Sequence, residues 1–445
     1  MKELPLGWAE VELGHVASLI RGVSFPRSAR RATSATGHVA CLRTTNVQSS
    51  VTWDDLWFIP TEFVKNSQQY LQPGDVLISM ANSLELVGKV AQIRSDESLP
   101  AVPGAFIAAI RTLEAASIDP AFLFYQLQLR SVRESIRQTA STTTNISNIS
   151  APAVLATGLV IAPFSEQRRI VAEIEEHLSR IDAACVGLGT VCVKVASYVA
   201  HMFERAVSEA PHTEFRRVLA APLANGRSVP TASSGFPVLR LTSIRNARVD
   251  LSEFKIGAWD ARQAEPFLVT EGDLLIVRGN GSLRLVGRAG LVQDVSSPVA
   301  FPDTLIRAKL DSGVALPAYV ARAWHTHVVR SQIEAAARTS AGIYKINQTD
   351  IENLRIPLPP LPVQEHLTSS ADAVEGPAAQ AHAAIERSIH MAARLRQAIL
   401  KKAFEGRLVP QDPNDEPASV LLERIRTARA QAPARRAPPK REVRA

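Results

Sequence analysis

Hydrophobic positions along this chain follow two rhythms. Short apolar runs such as Val76-Leu77-Ile78 and Leu274-Leu275-Ile276-Val277 are bounded by Gly, Pro, Asn and Ser. They predict strands entered through Gly-Asp turns at Gly74-Asp75 and Gly272-Asp273. Three- and four-residue spacing over residues 120–138 and 316–337 predicts helical stretches. A longer seam then runs from Val171 through Ile174, Leu178, Ile181, Cys185, Leu188, Cys192, Val195 and Val199 to Met202, stepping by threes and fours as a coiled coil does. A second, weaker seam reads Leu367, Ala371, Val374, Ala378, Ile385, Ile389, Ala392, Leu395, Ile399, and its alanines would let two helix backbones approach closely. Gly187 and Gly189 weaken the first helix locally, and Gly376-Pro377 is expected to kink or restart the second.

The same pattern is written twice at an offset of about 197 residues. Leu42-Arg43-Thr44-Thr45-Asn46-Val47 answers Leu239-Arg240-Leu241-Thr242-Ser243-Ile244, and Val87-Gly88-Lys89 answers Val286-Gly287-Arg288. Ile149-Ser150 answers Ile346-Asn347, Gln167 answers Gln364, and Arg205-Ala206 answers Lys402-Ala403. The expected fold class is α+β: two tandem, pseudo-repeated globular domains, each followed by a long helix, with the two helices forming an antiparallel coiled coil. The boundaries read as 1–163 for the first domain, 164–211 for a central spacer helix and 212–360 for the second domain. A distal helix and C-terminal segment occupy 361–423, and a basic tail, expected to be disordered, occupies 424–445.

With 46% hydrophobic and 21% charged residues, composition lies in the globular range, and no apolar run approaches a membrane span. The first residues lack a secretory pattern, and Cys41, Cys185 and Cys192 have no C-x-x-C spacing, so a soluble protein of the reducing cytoplasm is expected. The net charge of +7 is misleading, because residues 424–445 alone carry eight Arg or Lys against Glu442. Residues 1–163 balance 13 basic against 13 acidic side chains, while residues 212–357 hold 18 against 13. Affinity for nucleic acid must therefore come from local patches.

Catalytic signatures are missing. There is no Walker A pattern, nucleophile elbow or H-E-x-x-H, and Gly279-Asn280-Gly281 fits no dinucleotide fingerprint. Adenine methylation would need an Asn/Asp-Pro-Pro-aromatic loop, and Pro359-Pro360 is followed by Leu361. His325 and His327 read as surface residues of a helix, and Cys185 and Cys192 as packing residues of the seam. No metal and no cofactor is expected in this chain. The informative groups are polar loops in equivalent places: Arg43, Thr45 and Asn46 against Arg240 and Thr242; Asn82 and Ser83 against Arg278, Asn280, Ser282 and Arg284; and Thr143 and Asn145 against Lys345. Arginine can pair with guanine and asparagine with adenine in the major groove, while small polar residues let a backbone approach phosphate. Taken singly, each loop also reads as a polar turn holding a sheet together.

The pattern resembles the specificity subunits of type I restriction-modification systems over nearly the whole chain. Its carriers are the Gly-Asp turns, Phe301-Pro302-Asp303-Thr304-Leu305-Ile306-Arg307, Pro163-Phe164-Ser165-Glu166-Gln167 and, above all, residues 397–410 (QAILKKAFEGRLVP). The resemblance implies two target recognition domains, each reading half of a split, asymmetric site in double-stranded DNA. It also implies two methyltransferase subunits docked on the helices, and translocating restriction subunits. S-adenosylmethionine, ATP and Mg2+ would belong to those partners, making the assembly an adenine-N6 methyltransferase and ATP-dependent endonuclease around a non-catalytic subunit. One departure is Pro362-Val363-Gln364-Glu365, where the family pattern puts Glu before Gln, so the two docking surfaces are expected to differ. A competing reading is a coiled-coil scaffold whose globular ends bind protein.

Overall fold

Two strands, Val76–Ser79 and Leu274–Val277, organise the architecture, and both are fully buried. Because successive side chains on a strand point to opposite faces, each strand serves two cores. Val76 and Ile78 join one cluster with Ala108, Ile110 and Phe122, while Leu77 joins another with Leu42, Ile107 and Ala109. Likewise Leu274 and Ile276 pack with Ile306 and Trp324, and Leu275 and Val277 with Leu239 and Phe301. A strand buried on both faces reads as an unbroken apolar run, which is why no alternation marks it in the sequence.

This computed structural model describes residues 4–94, 100–113, 118–143, 146–207, 209–245, 247–340 and 342–431. They form two compact units, Met1–Val186 with Ser388–Ala445, and Gly187–Arg387. Mixed helix and strand content fits the expected class. Unit 1 holds a four-stranded antiparallel sheet in the order Ala17–Arg21, Ile107–Thr112, Val76–Ser79, Val90–Gln92. A three-stranded sheet sets His38–Leu42 between Trp57–Pro60 and Ala101–Pro103. Unit 2 holds a six-stranded sheet in which Leu274–Val277 lies between Leu305–Ala308 and Ala289–Leu291. The expected helical stretches are each a pair of short helices: Pro120–Leu127 and Arg130–Gln138, then Pro317–Ala323 and His327–Ala336.

The Gly-Asp turns are structural. Gly74 and Gly272 have φ of 90° and 82°, a region open to glycine, and the following aspartates are buried. Asp75 accepts the Gln72 N–H at 2.8 Å and a two-pronged contact from Arg111 at 2.6 and 2.7 Å. Asp273 accepts the Thr270 N–H at 2.8 Å, with Lys309 Nζ at 3.6 Å.

Each long helix, Phe164–Val207 and Leu361–Phe404, starts with a buried glutamine latch. Gln167 accepts the Asp119 N–H and donates to the Ala162 carbonyl, both at 2.9 Å. Gln364 accepts the Leu316 N–H at 2.9 Å and donates to the carbonyls of Val314 and Pro359 at 3.1 and 2.8 Å. The preceding positions differ: Glu166 is buried and accepts the Trp8 indole N–H at 3.0 Å, whereas Val363 is exposed. The second helix continues through Gly376-Pro377, contrary to the expected restart; proline removes a single rung of the ladder, and the neighbouring bonds carry the helix past it.

The second helix ends at Gly406, whose φ of 67° allows the Arg407 N–H to reach back to the Lys402 carbonyl at 2.9 Å, a Schellman-type closure. A further helix, Ala418–Gln431, buries Leu421, Leu422 and Ile425 in the unit 1 core beside Trp8 and Phe404. The basic tail set at Arg424 therefore begins inside a helix. Apolar side chains four apart give that helix a face the arginine content hides, and residues 432–445 lie outside the described residues. His325 also departs from expectation. It sits in the turn after Pro317–Ala323, half-buried, its Nε2 2.9 Å from the Ala289 carbonyl, and burial pulls its pKa below the ordinary imidazole value. His327 opens the next helix and is exposed. Cys185 is half-buried in the first long helix, and the Cys192 side chain lies outside those described.

Candidate nucleic-acid interface

Directly beyond each central strand the chain crosses into a small separate sheet. In unit 1, Ala81–Asn82 pairs with Ile146–Asn148, which pairs with Ser141–Thr143. In unit 2, Gly279–Asn280 pairs with Ile343–Lys345, which pairs with Arg338–Ser340. Two of the three loop groups picked from sequence are thus brought together in each unit: Asn82 and Ser83 with Thr143, and Arg278, Asn280, Ser282 and Arg284 with Lys345.

The loop that follows each strand is pinned from behind. Val87 and Val286 are fully buried, and Gly88 and Gly287, both with positive φ, donate back to the Ser79 and Val277 carbonyls at 2.9 and 2.8 Å. Helix arginines reach the loop carbonyls. Arg133 and Arg137 donate to Glu85 and Leu84 at 2.9 and 3.0 Å, and Arg330 donates to Val286 at 2.9 Å. Residues 82–86 and 280–285 are therefore held on a rigid base with their outer side chains free to meet a ligand, the arrangement a recognition surface needs. Ser83, Thr143, Ser282, Arg284 and Lys345 are exposed. Asn82 and Asn280 are half-buried and use their Oδ1 locally, accepting the N–H of Ser83 at 2.9 Å and of Ser282 at 3.1 Å. Among the described residues no hydrogen bond or ion pair holds the Arg278 or Arg284 guanidinium, and both are exposed.

No family model matches the chain. Over 96% of its length it is 27% identical to the type I restriction enzyme EcoKI specificity subunit of Escherichia coli K12, covering 97% of that protein. It is also 27% identical to the StySPI specificity subunit of Salmonella potsdam, with 96% of each covered. The chain is a homologue of the type I restriction enzyme specificity subunits. Its fold also matches, with a TM-score of 0.65 and 18% identity, a solved chain from work on complex assembly and conformational transition of a type I restriction-modification system, covering 92% of this chain and all of that one.

In this specificity-subunit homologue much of the third loop group is engaged within the protein. Asn46 is buried and its amide is consumed: Oδ1 accepts the Arg43 N–H at 2.8 Å, and Nδ2 donates to the Thr52 and Asp54 carbonyls, both at 2.9 Å. It is withdrawn as a base reader, because a side chain with no spare donor cannot question a base edge. Arg43 is likewise committed, paired with Asp55 and stacked 4.6 Å over Trp57. Thr45 stays exposed beside it. Arg240 is exposed but donates to the Phe254 carbonyl at 3.0 Å, and Thr242 donates to Glu253 at 3.2 Å. Asn145 lies outside the described residues.

Sequence reasoning passed over three side chains, Arg30, Lys89 and Phe106. Arg30, like Arg43, stacks over Trp57, at 4.5 Å, and Lys89 donates to Gln48, tying the Arg43 turn to the Asn82 loop. Burial, then the nearby Arg133, lowers the Lys89 pKa. Arg338 is largely exposed and stands beside Lys345. Phe106 is 65% exposed, and its carbonyl accepts the Met80 N–H at 2.9 Å. Among the described residues no cluster of three or more His, Cys, Asp or Glu is disposed to hold a metal, and no helix is long and apolar enough to cross a membrane.

Proposed function

We propose that this chain is the sequence-reading subunit of a type I restriction-modification complex, binding double-stranded DNA and carrying no catalytic centre. The observation that carries the reading is similarity to two named specificity subunits over 96% of the chain. Each unit reads one half of a bipartite, asymmetric site through its small sheet and the loop pinned behind it. The recognition domains are residues 1–163 and 212–360, two copies of one design, as the paired latches at Gln167 and Gln364 support.

The two long helices space the half-sites and dock two methyltransferase subunits. In this reading they run antiparallel, which is supported within unit 1 by the pairing of Asp182 of the first helix with Arg396 of the second and by the shared core of the earlier Ile170 and Ile174 with the later Ile399 and Ala403. S-adenosylmethionine binds the methyltransferase subunits, and ATP and Mg2+ the restriction subunits, in a cytoplasmic assembly. The exposed Val363, standing where the first helix has Glu166, makes the two docking surfaces unequal.

The test is reconstitution. The purified chain alone should transfer no methyl group to DNA, and adding a methyltransferase partner should produce methylation at one asymmetric, split motif. Exchanging residues 1–163 for those of a relative should change one half of that motif and leave the other. Methylation by the pure chain alone, or a change in both halves, would overturn the reading.

A further inference from the structure

The two units present opposite chemistry at one shared station. Leaving the central strand, Met80 in unit 1 donates its N–H to the Phe106 carbonyl at 2.9 Å and accepts the Ile149 N–H at 2.9 Å. In unit 2, Arg278 donates its N–H to the Thr304 carbonyl at 2.9 Å and accepts the Ile346 N–H at 3.0 Å. The backbone is the same, but the side chains are exchanged in character. Unit 1 shows a phenylalanine, 65% exposed, bonded through its backbone to a half-buried methionine; unit 2 shows an exposed arginine bonded in the same way to an exposed threonine.

Resting on the function proposed above, we propose that this station reads one base pair in each half-site. Phe106 does so by apolar contact with a thymine methyl group, and Arg278 by a two-pronged hydrogen bond to guanine O6 and N7. In the major groove only thymine offers a methyl group, and guanine alone offers two adjacent acceptors. A phenyl ring gains nothing from a phosphate, so a station that carries one in unit 1 faces base edges. The matching backbone puts Arg278 where unit 1 has Met80, next to the position of the phenyl ring, and no carboxylate among the described residues competes for it. Asn82 and Asn280 sit two residues on in each unit, their Oδ1 atoms spent on local turns that fix the loop.

The experiment uses the chain assembled with its methyltransferase partner and duplexes carrying the mapped site. Each thymine is replaced in turn by deoxyuridine, which lacks the methyl group, and each guanine by 7-deazaguanine, which lacks the N7 acceptor. One deoxyuridine in the unit 1 half-site should weaken binding by about fourfold, the value of one buried methyl-sized group. The same replacement should cost Phe106→Ala nothing further. One 7-deazaguanine in the other half-site should weaken binding by about fivefold or more, and Arg278→Ala should be blind to it. Arg278→Ala should also relax the methylated motif at that single position. Losses that simply add to those of the variants would overturn the proposal. So would an Arg278→Ala loss spread evenly over all sequences with a shallower salt dependence, the mark of a phosphate contact. If Phe106→Ala instead impairs assembly with the methyltransferase, the ring belongs to a protein contact and the unit 1 assignment falls. A wild-type complex with no sequence preference at all would instead sink the underlying function.

Discussion

Replacing Gln364 with alanine isolates the latch that joins the second long helix to unit 2. The amide satisfies three backbone groups in a fully buried setting: the Leu316 N–H and the carbonyls of Val314 and Pro359. Each buried group left without a partner costs about 1–3 kcal/mol; with the two carbonyls at the low end, the loss should reach about 3–5 kcal/mol. For a unit of this size that lowers the melting temperature by roughly 9–15 °C. Gln167→Ala frees only the Asp119 N–H and the Ala162 carbonyl, so its cost should be smaller, about 2–4 kcal/mol. Hydrogen exchange followed by mass spectrometry gives the location as well as the size. Gln364→Ala should loosen Gly187–Arg387 and Gln167→Ala should loosen the other unit. A loss under about 0.5 kcal/mol, the scale of an ordinary surface substitution, would refute the latch, as would equal loosening of both units by either change.

Two further outcomes are expected. Burial raises the Glu166 carboxyl above its ordinary range, with the Trp8 hydrogen bond and Arg169 acting in the opposite sense and Asp415 adding to the rise. A carboxyl raised on folding has its stabilising share intact below its ordinary value and loses it as pH climbs through the raised one. Glu166→Gln should therefore increase the melting temperature at pH 7.5 and leave it unchanged at pH 4; a gain at both would show that charge is not the cause. Inserting four residues between Val195 and Val199 lengthens the first helix by about 6 Å. If the helices set the spacing, methylome mapping should show the unread gap grown by one or two base pairs at about 3.4 Å each, with both half-sites unchanged.

Periodicity and the internal repeat made the elements legible, because each signal is carried by side chains that meet their own unit's core. The Gly-Asp turns and the glutamines were found as matched letters, yet their work as buried hydrogen-bond latches needs partners 36 to 50 residues away that spacing alone does not reveal. Asn46 shows the converse error. A polar residue in a strand-following turn offers the same letters whether it points to solvent or closes the turn on itself, and here Thr52 and Asp54 capture it. Phe106 was invisible because an isolated phenylalanine before an apolar run reads as core; only the backbone path shows it facing outward. The helix Ala418–Gln431 was hidden by its arginine content: Arg424 and Arg426 are exposed, while Leu421, Leu422 and Ile425 between and before them are buried.

The packing of those three residues, and the bond from the Ala418 N–H to the Gly7 carbonyl at 2.8 Å, gives the order of synthesis a bearing on folding. Unit 1 is made from two stretches separated by unit 2, so the residues up to Val186 must wait for those from Ser388 onward. At about 5–20 residues per second, the stretch Gly187–Arg387 keeps the ribosome busy for roughly 10–40 s after Val186 has been added. Through that interval Phe122 lacks Phe404, its aromatic neighbour at 5.0 Å, and Trp8 lacks the C-terminal helix. A chain cut short after unit 2 would leave the ribosome with that unit finished and the earlier one still open, its apolar wall bare to chaperones and proteases.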